Sequence, residues 1–388
     1  MAHEDIHSLL RALAQLDRTY TRSRESRGRR RREHVPFLNT RTKTFDDYLA
    51  VFDNHHFQHY TRLSPTEFER LHEYLAPSLQ HRTTYAHMHH ISSRQRLFIF
   101  MRFVGHGHTF EALSKEVHHG RSMVQGIVFE VASAIRSVLY REAFPPFTRQ
   151  HLEEVANKTQ VRYDYPRAAG FMDGKHINIK KPARSGALYY NYKGTHSIIL
   201  LALVDCDYRI LAFDVGAPGR MGDTGVYRRS TIKRLIDNND HLFPPTRPLG
   251  NVGPVQYHIL VNCGFADGYR CVRPYTRASV DTPSKRRFNG KHSGAHQTVE
   301  STFGMLCRRF GLLQTTIQLE PTHATEVVSS LLVLHNLLIR WRNPERDIAK
   351  LPPPIRELDP LEDVSGQEES LAESGVRARE LITRYYGT

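Results

Sequence analysis

The feature of this sequence that most constrains the fold is a short apolar segment with one acidic residue at its centre. Residues 170–180 have the composition of a buried strand and carry Asp173 in their middle. An ionised carboxylate inside such a strand is costly unless a charge pairs with it, and a divalent metal ion is a common strong partner. Asp173 is followed by Gly174, and Asp-Gly also marks hairpin turns, so a turn explains this pair equally well when it is considered alone.

Three further acidic residues follow in apolar or glycine-rich surroundings, and they favour the metal site. They are Asp223, Asp267 and Glu300. Asp267 ends the fourth predicted strand, which should lie beside the strand of Asp173 at the centre of a sheet. Glu300 lies on a predicted helix next to the apolar residue Val299. We therefore expect Asp173, Asp267 and Glu300 to meet in one site.

Asp223 has two interpretations. It begins a predicted helix after Pro218-Gly219, and Asp is a favoured N-cap residue, a role that needs no catalysis. It is also expected at the same end of the sheet as Asp267, where it would serve as a metal ligand. Both roles stay open.

Clustered carboxylates are suited to phosphoryl chemistry. Two Mg²⁺ ions roughly 4 Å apart can activate the attacking oxygen of a phosphodiester cleavage and stabilise the leaving one. Mg²⁺ takes oxygen ligands and leaves room for waters and substrate phosphate. The acids therefore predict a nuclease-type site that binds Mg²⁺ or Mn²⁺.

The charge balance indicates a polyanionic partner. The 388 residues carry a formal net charge of +14, for which nucleic acid is the simplest partner. The four cysteines include no CxxC pair, which suits a reducing intracellular compartment and argues against a structural zinc site. No apolar run approaches transmembrane length and the N-terminus lacks a signal-peptide core, so we expect no membrane association.

The chain divides into four predicted regions. Residues 1–45 form a basic, partly disordered arm with seven arginines between Arg22 and Arg32, which would act as a nuclear-import signal or bind phosphates. Residues 46–150 are a helical DNA-binding region, and residues 160–342 alternate strands and helices. Residues 343–388 combine an acidic, proline-rich linker with a short C-terminal helix.

Two helices joined by a glycine-containing turn are predicted near the end of the helical region. The first covers residues 109–117, Gly120 lies in the turn, and the second runs to Tyr140. This fits a helix-turn-helix, although scaffolding hairpins share the shape, and the basic charge favours DNA binding. The predicted DNA contacts are Arg121, Ser122 and Gln125 on the second helix and, in the later region, Lys175, Arg286, Arg287, Arg308 and Arg309.

The order of the later elements is that of a ribonuclease H-like domain. Strands are predicted at 168–180, 197–204, 210–215 and 258–265. A basic loop with Lys285 and Lys291 leads into a helix at 294–310, and a buried helix follows at 324–341. The predicted fold class is α/β: a ribonuclease H-like mixed sheet flanked by helices, preceded by an all-α helix-turn-helix region.

Several short motifs, in this order, resemble those of PIF/Harbinger-type DDE transposases and of nucleases derived from them. They are Asp173-Gly174-Lys175-His176-Ile177, Tyr192-Lys193-Gly194-Thr195-His196-Ser197, Ala217-Pro218-Gly219 with Asp223, Ala266-Asp267-Gly268-Tyr269, Val299-Glu300-Ser301-Thr302-Phe303-Gly304 and Leu334-His335-Asn336. The resemblance covers about residues 64–341. It implies metal-dependent DNA cleavage, with Asp173, Asp223, Asp267 and Glu300 as the catalytic and metal-binding residues. Two departures, Gly222 in place of the usual His and Ala266 to Tyr269 in place of Gly-Asp-Ser-Gly-Tyr, remove no acid.

The leading functional expectation is a transposase that cuts at the terminal inverted repeats of its element and joins the ends to target DNA. The alternative is a domesticated relative with nuclease or only DNA-binding activity in the host. For either, double-stranded DNA is the expected partner, and a nuclear location and a homo-oligomer are expected. The resemblance also implies a separately encoded Myb-like DNA-binding protein as a partner.

Overall fold

The structure is a computed structural model that describes residues 53–80, 91–146, 148–266, 268–342 and 369–387. The predicted basic arm at 1–45 lies outside these residues. Residues 343–368 of the predicted C-terminal region and the predicted site residue Asp267 also lie outside them.

In the described part of the chain, six helices precede the sheet, and side-chain caps fix where several of them begin. Ser64 and Ser92 each accept a hydrogen bond from the backbone amide three residues later, and the side chains of Glu67 and Gln95 accept one from the backbone amide of the capping residue. These reciprocal bonds satisfy amides that the first helical turn leaves open. The helices are α1 (Asn54–Thr61), α2 (Pro65–Leu79), α3 (Ser93–His106), α4 (Phe110–Glu116), α5 (Arg121–Ala143) and α6 (Arg149–Tyr163).

The predicted helix pair is present as α4 and α5, with Gly120 as the N-cap residue of α5. By length and composition, α5 could cross a membrane, a property not expected from the sequence. It packs instead against α3, α4 and a later helix, α10 (Pro321–Trp341). Its buried residues include Val128 and Ile135. The apolarity of α5 is therefore explained by its place in the core.

A five-stranded sheet follows, in the order β3-β2-β1-β6-β7. Strands β1 (Ala168–Asn178), β2 (Ser197–Val204) and β3 (Ile210–Pro218) pair antiparallel. On its other side β1 pairs in parallel with β6 (His258–Val261), and β6 pairs in parallel with β7 (Cys271–Val272). A separate ribbon contains β4 (Arg247–Pro248) and β5 (Pro254–Val255). This mixed sheet flanked by helices has the predicted ribonuclease H-like arrangement.

The acidic segment lies inside a strand rather than at a turn. Asp173 and Gly174 pair with Ala202 and Leu201 of β2, so the hairpin interpretation of Asp-Gly is wrong. The fourth long strand, β6, ends at Val261, four residues before the predicted end at 265.

Helices cover both faces of the sheet. They are α7 (Asp223–Arg229), α8 (Thr231–Asn238), α9 (Pro283–Arg309) and α10, together with the earlier α5 and α6. Strand β2 is buried along its whole length. Its Leu200 belongs to a core cluster shared with α5, α9 and α10, whereas Leu201 packs in a second cluster with Leu152 of α6 and Val226 of α7. Alternate side chains thus enter opposite layers, as expected for a strand between two helical layers.

Helix α9 begins earlier than predicted. It starts at Pro283, so the predicted basic loop lies in its first turns. Phe288, His292, Ala295 and Val299 are buried along one side of this helix, and their spacing of three or four residues is that of an apolar helix face. Arg286 and Arg287, which precede Phe288, are exposed.

The last helix, α11 (Glu369–Tyr385), packs on β7 and α9. The Tyr386 hydroxyl donates to the backbone oxygen of Asp164 at 2.6 Å, and the Tyr275 and Thr383 hydroxyls lie 3.0 Å apart. Helix α11 therefore covers the edge strand of the sheet, which would otherwise offer unpaired backbone groups.

Gly375→Ala is expected to loosen α11, although Ala usually stabilises a helix. A β-carbon at Gly375 would lie 2.3 Å from the backbone oxygen of Cys271 and 2.7 Å from that of Gly268. Backbone atoms yield little, so we expect a loss of about 1–3 kcal/mol in unfolding free energy, measured by urea denaturation, and faster proteolysis within α11. Gly126→Ala in α5, where an added β-carbon meets nothing within 4 Å, is the control and should be neutral or stabilising. Equal stability of the two variants would contradict the tight contact.

Candidate active site

Asp173 lies at the junction of β1 and β6. The parallel register pairs Met172 with Val261, so the next residues, Asp173 and Asn262, are side by side. The Asn262 Nδ2 donates to Asp173 Oδ1 at 2.6 Å, and the backbone amide of Gly174 donates to the same oxygen at 2.8 Å. The carboxylate is therefore held in one orientation by two donors.

Asp223 places its carboxylate against two glycines. It is the first residue of α7, and Gly222 is the N-cap residue, so the N-cap interpretation of Asp223 is wrong. A β-carbon at Gly174 would lie 2.3 Å from Asp223 Oδ1, and one at Gly264 would lie 2.8 Å from Asp223 Oδ2. The absence of side chains at both glycines thus makes room for this carboxylate next to the backbone of β1. This contact gives the Asp-Gly pair a role that a turn does not require.

Glu300 approaches from α9. One turn earlier on the same helix, His296 is buried, with its Nε2 3.2 Å from the backbone oxygen of Met172 and its Nδ1 3.8 Å from Glu300 Oε1. His296 thus connects α9 to the strand residue that precedes Asp173. The Glu300 side chain is 42% exposed, so it lies at the rim of the site.

The electrostatics of the site show that the acids influence one another. Asp173 keeps some accessible surface, yet burial raises its pKa to about 7, with further upward contributions from the charges of Asp223 and Glu300 and an opposing one from His296. Burial lowers the pKa of His296, but its contact with Glu300 and the charge of Asp173 outweigh this and raise the pKa above its usual value. Negative charge is therefore concentrated here beyond what the described neighbours neutralise.

The loop that leads to Asp267 is attached to α7. The Thr224 hydroxyl donates to the backbone oxygen of Gly264 at 2.9 Å and accepts from the backbone amide of Ala266 at 3.0 Å. Ala266 directly precedes Asp267, whose own position lies outside the described residues. Thr224 therefore fixes the approach of the chain to the fourth predicted acid.

The donor set suits a hard divalent cation. Carboxylates of Asp173, Asp223 and Glu300 supply oxygen, the ligand atom that Mg²⁺ and Mn²⁺ prefer, and the raised pKa of Asp173 is what a cation at this point would reverse. Within the described ranges, no three acidic, histidine or cysteine side chains converge closely enough to enclose an ion. The three carboxylates thus fit a metal site in the chemistry of their donor atoms, but not in their spacing.

Sequence reasoning missed two residues of the site, Asn262 and His296. Asn262 directly follows β6, and the parallel pairing of Met172 with Val261 brings it beside Asp173, a register that the sequence does not show. His296 lies one helical turn from both His292 and Glu300, a spacing that places the three on one side of a helix.

The residues predicted to contact DNA differ in how exposed their side chains are. Arg121 and Ser122 are exposed at the start of α5 and Gln125 is partly exposed, and Arg286, Arg287 and Arg308 are exposed on α9. Lys175 is partly buried on β1, with its Nζ 6.0 Å from the Phe303 ring centre. Arg309 is buried, with its Nη1 3.1 Å from His335 Nδ1. It does not present its charge to solvent, so the prediction that Arg309 contacts DNA is corrected.

Comparison with known proteins gives one family and distant relatives. Residues 172–336 match the model of the DDE superfamily endonuclease family. The chain is 25% identical over 199 residues to "Putative nuclease HARBI1" of Bos taurus and of Homo sapiens, which is 48% of this chain and 52% of each relative. It is 22% identical over 253 residues to "Protein ALP1-like" of Arabidopsis thaliana, 64% of this chain and 61% of that relative. The chain spans about half the length of the nucleases that it matches. No solved structure matches it.

Proposed function

We propose that this chain, which carries a DDE superfamily endonuclease domain at residues 172–336 and is distantly homologous to HARBI1 and ALP1-like proteins, is a metal-dependent DNA endonuclease. The observation that carries the proposal is the Asp223 carboxylate lying against Gly174, the chain neighbour of Asp173, where its charge adds to the effect of burial in raising the pKa of Asp173. Two neighbouring carboxylates repel each other, which raises the energy of the metal-free site and favours the binding of a divalent cation. The net charge of +14 supports DNA as the substrate.

Asp173, Asp223 and Glu300 would hold the cations, with Asp267 as the fourth predicted ligand. When bound, divalent ions in such a site lower the pKa of water and stabilise the charge on a leaving oxygen. Asn262 and the Gly174 amide both donate to Asp173 Oδ1, and so fix the orientation of the carboxylate that would hold a cation. His296 links Glu300 to the backbone of β1, which keeps the rim acid close to Asp173.

The proposal is hydrolysis of phosphodiesters in host service rather than full transposition. Mammalian relatives carry the name of a nuclease, and joining of ends to target DNA requires further DNA sites that this family match does not specify. We further propose that the protein acts in the nucleus as a homo-oligomer, with a Myb-like protein supplying additional DNA affinity.

A nicking assay with supercoiled plasmid tests the proposal. Purified full-length protein is expected to nick the plasmid with Mg²⁺ or Mn²⁺ and to be inactive with EDTA, because the chemistry needs the cation. Including a labelled oligonucleotide with a 3′-hydroxyl separates the activities: nicked plasmid without label is hydrolysis, and labelled plasmid is strand joining. If neither Mg²⁺ nor Mn²⁺ supports nicking of supercoiled plasmid or of relaxed DNA, the nuclease proposal is refuted. Efficient joining of the labelled oligonucleotide to the plasmid would favour the transposase.

A further inference from the structure

The connection from β1 to β2 exposes aromatic rings among cations. We name residues 180–196 the tyrosine loop. Tyr190 and Tyr192 are 49% and 58% exposed. Lys181, Arg184 and Lys193 are also exposed, and the loop contains no acidic residue. Rings and cations together, without acids, are the features with which proteins bind unpaired nucleic acid: bases stack on the rings and phosphates pair with the cations.

The tyrosine loop is held in a defined shape. Asn191 is buried, and its Nδ2 donates to Ser197 Oγ at 2.8 Å and to Thr195 Oγ1 at 3.0 Å. Its Oδ1 accepts from the backbone amides of Lys193 and Thr195 at 3.0 and 3.1 Å. The backbone amide of Gly219, after β3, donates to the backbone oxygen of Ser197. The rings are thus displayed on a preorganised support, which lowers the entropy lost when a ligand binds.

The loop also lies close to the acids. The Tyr192 ring packs edge-on against His176, with 5.5 Å between ring centres, and His176 Nδ1 is 2.8 Å from Ser197 Oγ. His176 is two residues beyond Gly174 on the same side of β1, a separation of about 7 Å, and Gly174 contacts the Asp223 carboxylate. Tyr192 is therefore within a few nucleotides' length of the candidate site.

We propose that the tyrosine loop binds unpaired DNA next to the phosphate that is cleaved, with Tyr190 and Tyr192 stacking on bases and Lys193 binding the backbone. The inference rests on the proposed nuclease function and adds a substrate preference to it. Bases inside a duplex are already stacked on one another, so the rings gain a partner only where the strands separate. Forked ends and distorted duplexes are therefore the preferred substrates, and fully paired DNA is bound through charge alone.

Binding of two DNA probes to the full-length chain tests this inference without requiring cleavage. One probe is a blunt duplex, and the other is the same duplex with several unpaired nucleotides at one end, including 2-aminopurine. Fluorescence anisotropy in EDTA gives both affinities, and quenching of 2-aminopurine reports stacking. The double variant Tyr190→Leu/Tyr192→Leu is expected to lose roughly tenfold in affinity for the forked probe, together with the quenching, and to change little on the blunt duplex.

Controls separate stacking from folding. Tyr190→Phe/Tyr192→Phe keeps the rings and should bind the forked probe as the wild type does. Tyr74→Leu removes a 38% exposed ring of α2, far from the tyrosine loop in the sequence, and should change the affinity for neither probe. If the double Leu variant melts below the wild type, Tyr190→Leu alone is measured, because that ring is 49% exposed and packs edge-on against His196 at 5.4 Å between centres. Equal losses on both probes, or an unchanged fork affinity, would overturn the inference. Tyrosine-dependent fork binding by a protein that never nicks DNA would support it and refute the nuclease function.

Discussion

Replacing Asp173 with Asn is expected to abolish metal-dependent DNA cleavage, with a loss of about a thousandfold or more in rate. Asn has the shape of Asp, and its oxygen can still accept from Asn262 and from the Gly174 amide, which bond to Oδ1 in the wild type. What is lost is the negative charge that a divalent cation requires. The measurement is the nicking rate with Mn²⁺, alongside DNA affinity, which should be equal or higher because one repulsive charge is removed.

The same variant has a second expected effect in the protein without metal. Burial, with the charges of Asp223 and Glu300, raises the pKa of Asp173 to about 7 despite His296, above the roughly 3.9 of Asp in an unfolded chain. The folded state thus binds this proton more tightly, and stability falls as the pH rises between those two values. Asn loses no proton, so in EDTA the Asp173→Asn protein should melt at a higher temperature than the wild type at pH 8 but not at pH 4.

A surface exchange of the same chemistry is the control for both measurements. Asp237→Asn on α8 changes an exposed carboxylate that lies 2.6 Å from Lys233. It should nick DNA at the wild-type rate and should melt no higher than the wild type at pH 8. Wild-type cleavage by Asp173→Asn would remove Asp173 from the active site, and an identical pH dependence of the two melting temperatures would show that its charge is already neutralised.

The elements that follow from local patterns were predictable from the sequence. Ser64 together with Glu67 predicts the start of α2, and the apolar run of β2 predicts a strand buried on both faces. Both are predictable because caps and periodicity depend on residues that are close in the chain. The start of α9 at Pro283 was not predictable, because Gly290 and Gly294 lie in a basic stretch that has the composition of a loop. Burial of Phe288 and His292 on the sheet side overrides that local preference.

The partners within the site depend on contacts between distant parts of the chain. Asn262 meets Asp173 across 89 residues, and Arg309 meets His335 across 26. The first contact follows from the parallel register of β1 and β6, and the second from the packing of α9 against α10. Neither register nor helix packing is encoded in local composition, so an ordinary asparagine was overlooked and a buried arginine was assigned to the surface.

Asp223→Asn is expected to remove cleavage almost completely while the fold is retained. Gly222, not Asp223, is the N-cap residue of α7, so the exchange leaves the helix start unchanged. What the exchange removes is the negative charge that lies between Gly174 and Gly264. Relief of repulsion among the acids should keep the metal-free variant at least as stable as the wild type. Nicking rate, Mn²⁺ affinity by calorimetry and melting temperature in EDTA measure the three effects.

Gly174→Ala tests the same contact without changing any charge. The new β-carbon would lie 2.3 Å from Asp223 Oδ1, so the carboxylate has to move, while Ala in a strand interior is otherwise favourable by roughly 0.5–1 kcal/mol. We expect Mn²⁺ affinity and nicking to fall at least about tenfold, the scale of a displaced ligand, with little change in melting temperature. Gly225→Ala in α7, where the nearest atom to an added β-carbon is Met221 Cε at 3.7 Å, is the matched control and should remain active. Wild-type Mn²⁺ affinity and nicking in Gly174→Ala, together with an active Asp223→Asn, would show that Asp223 lies beside the catalytic site without belonging to it.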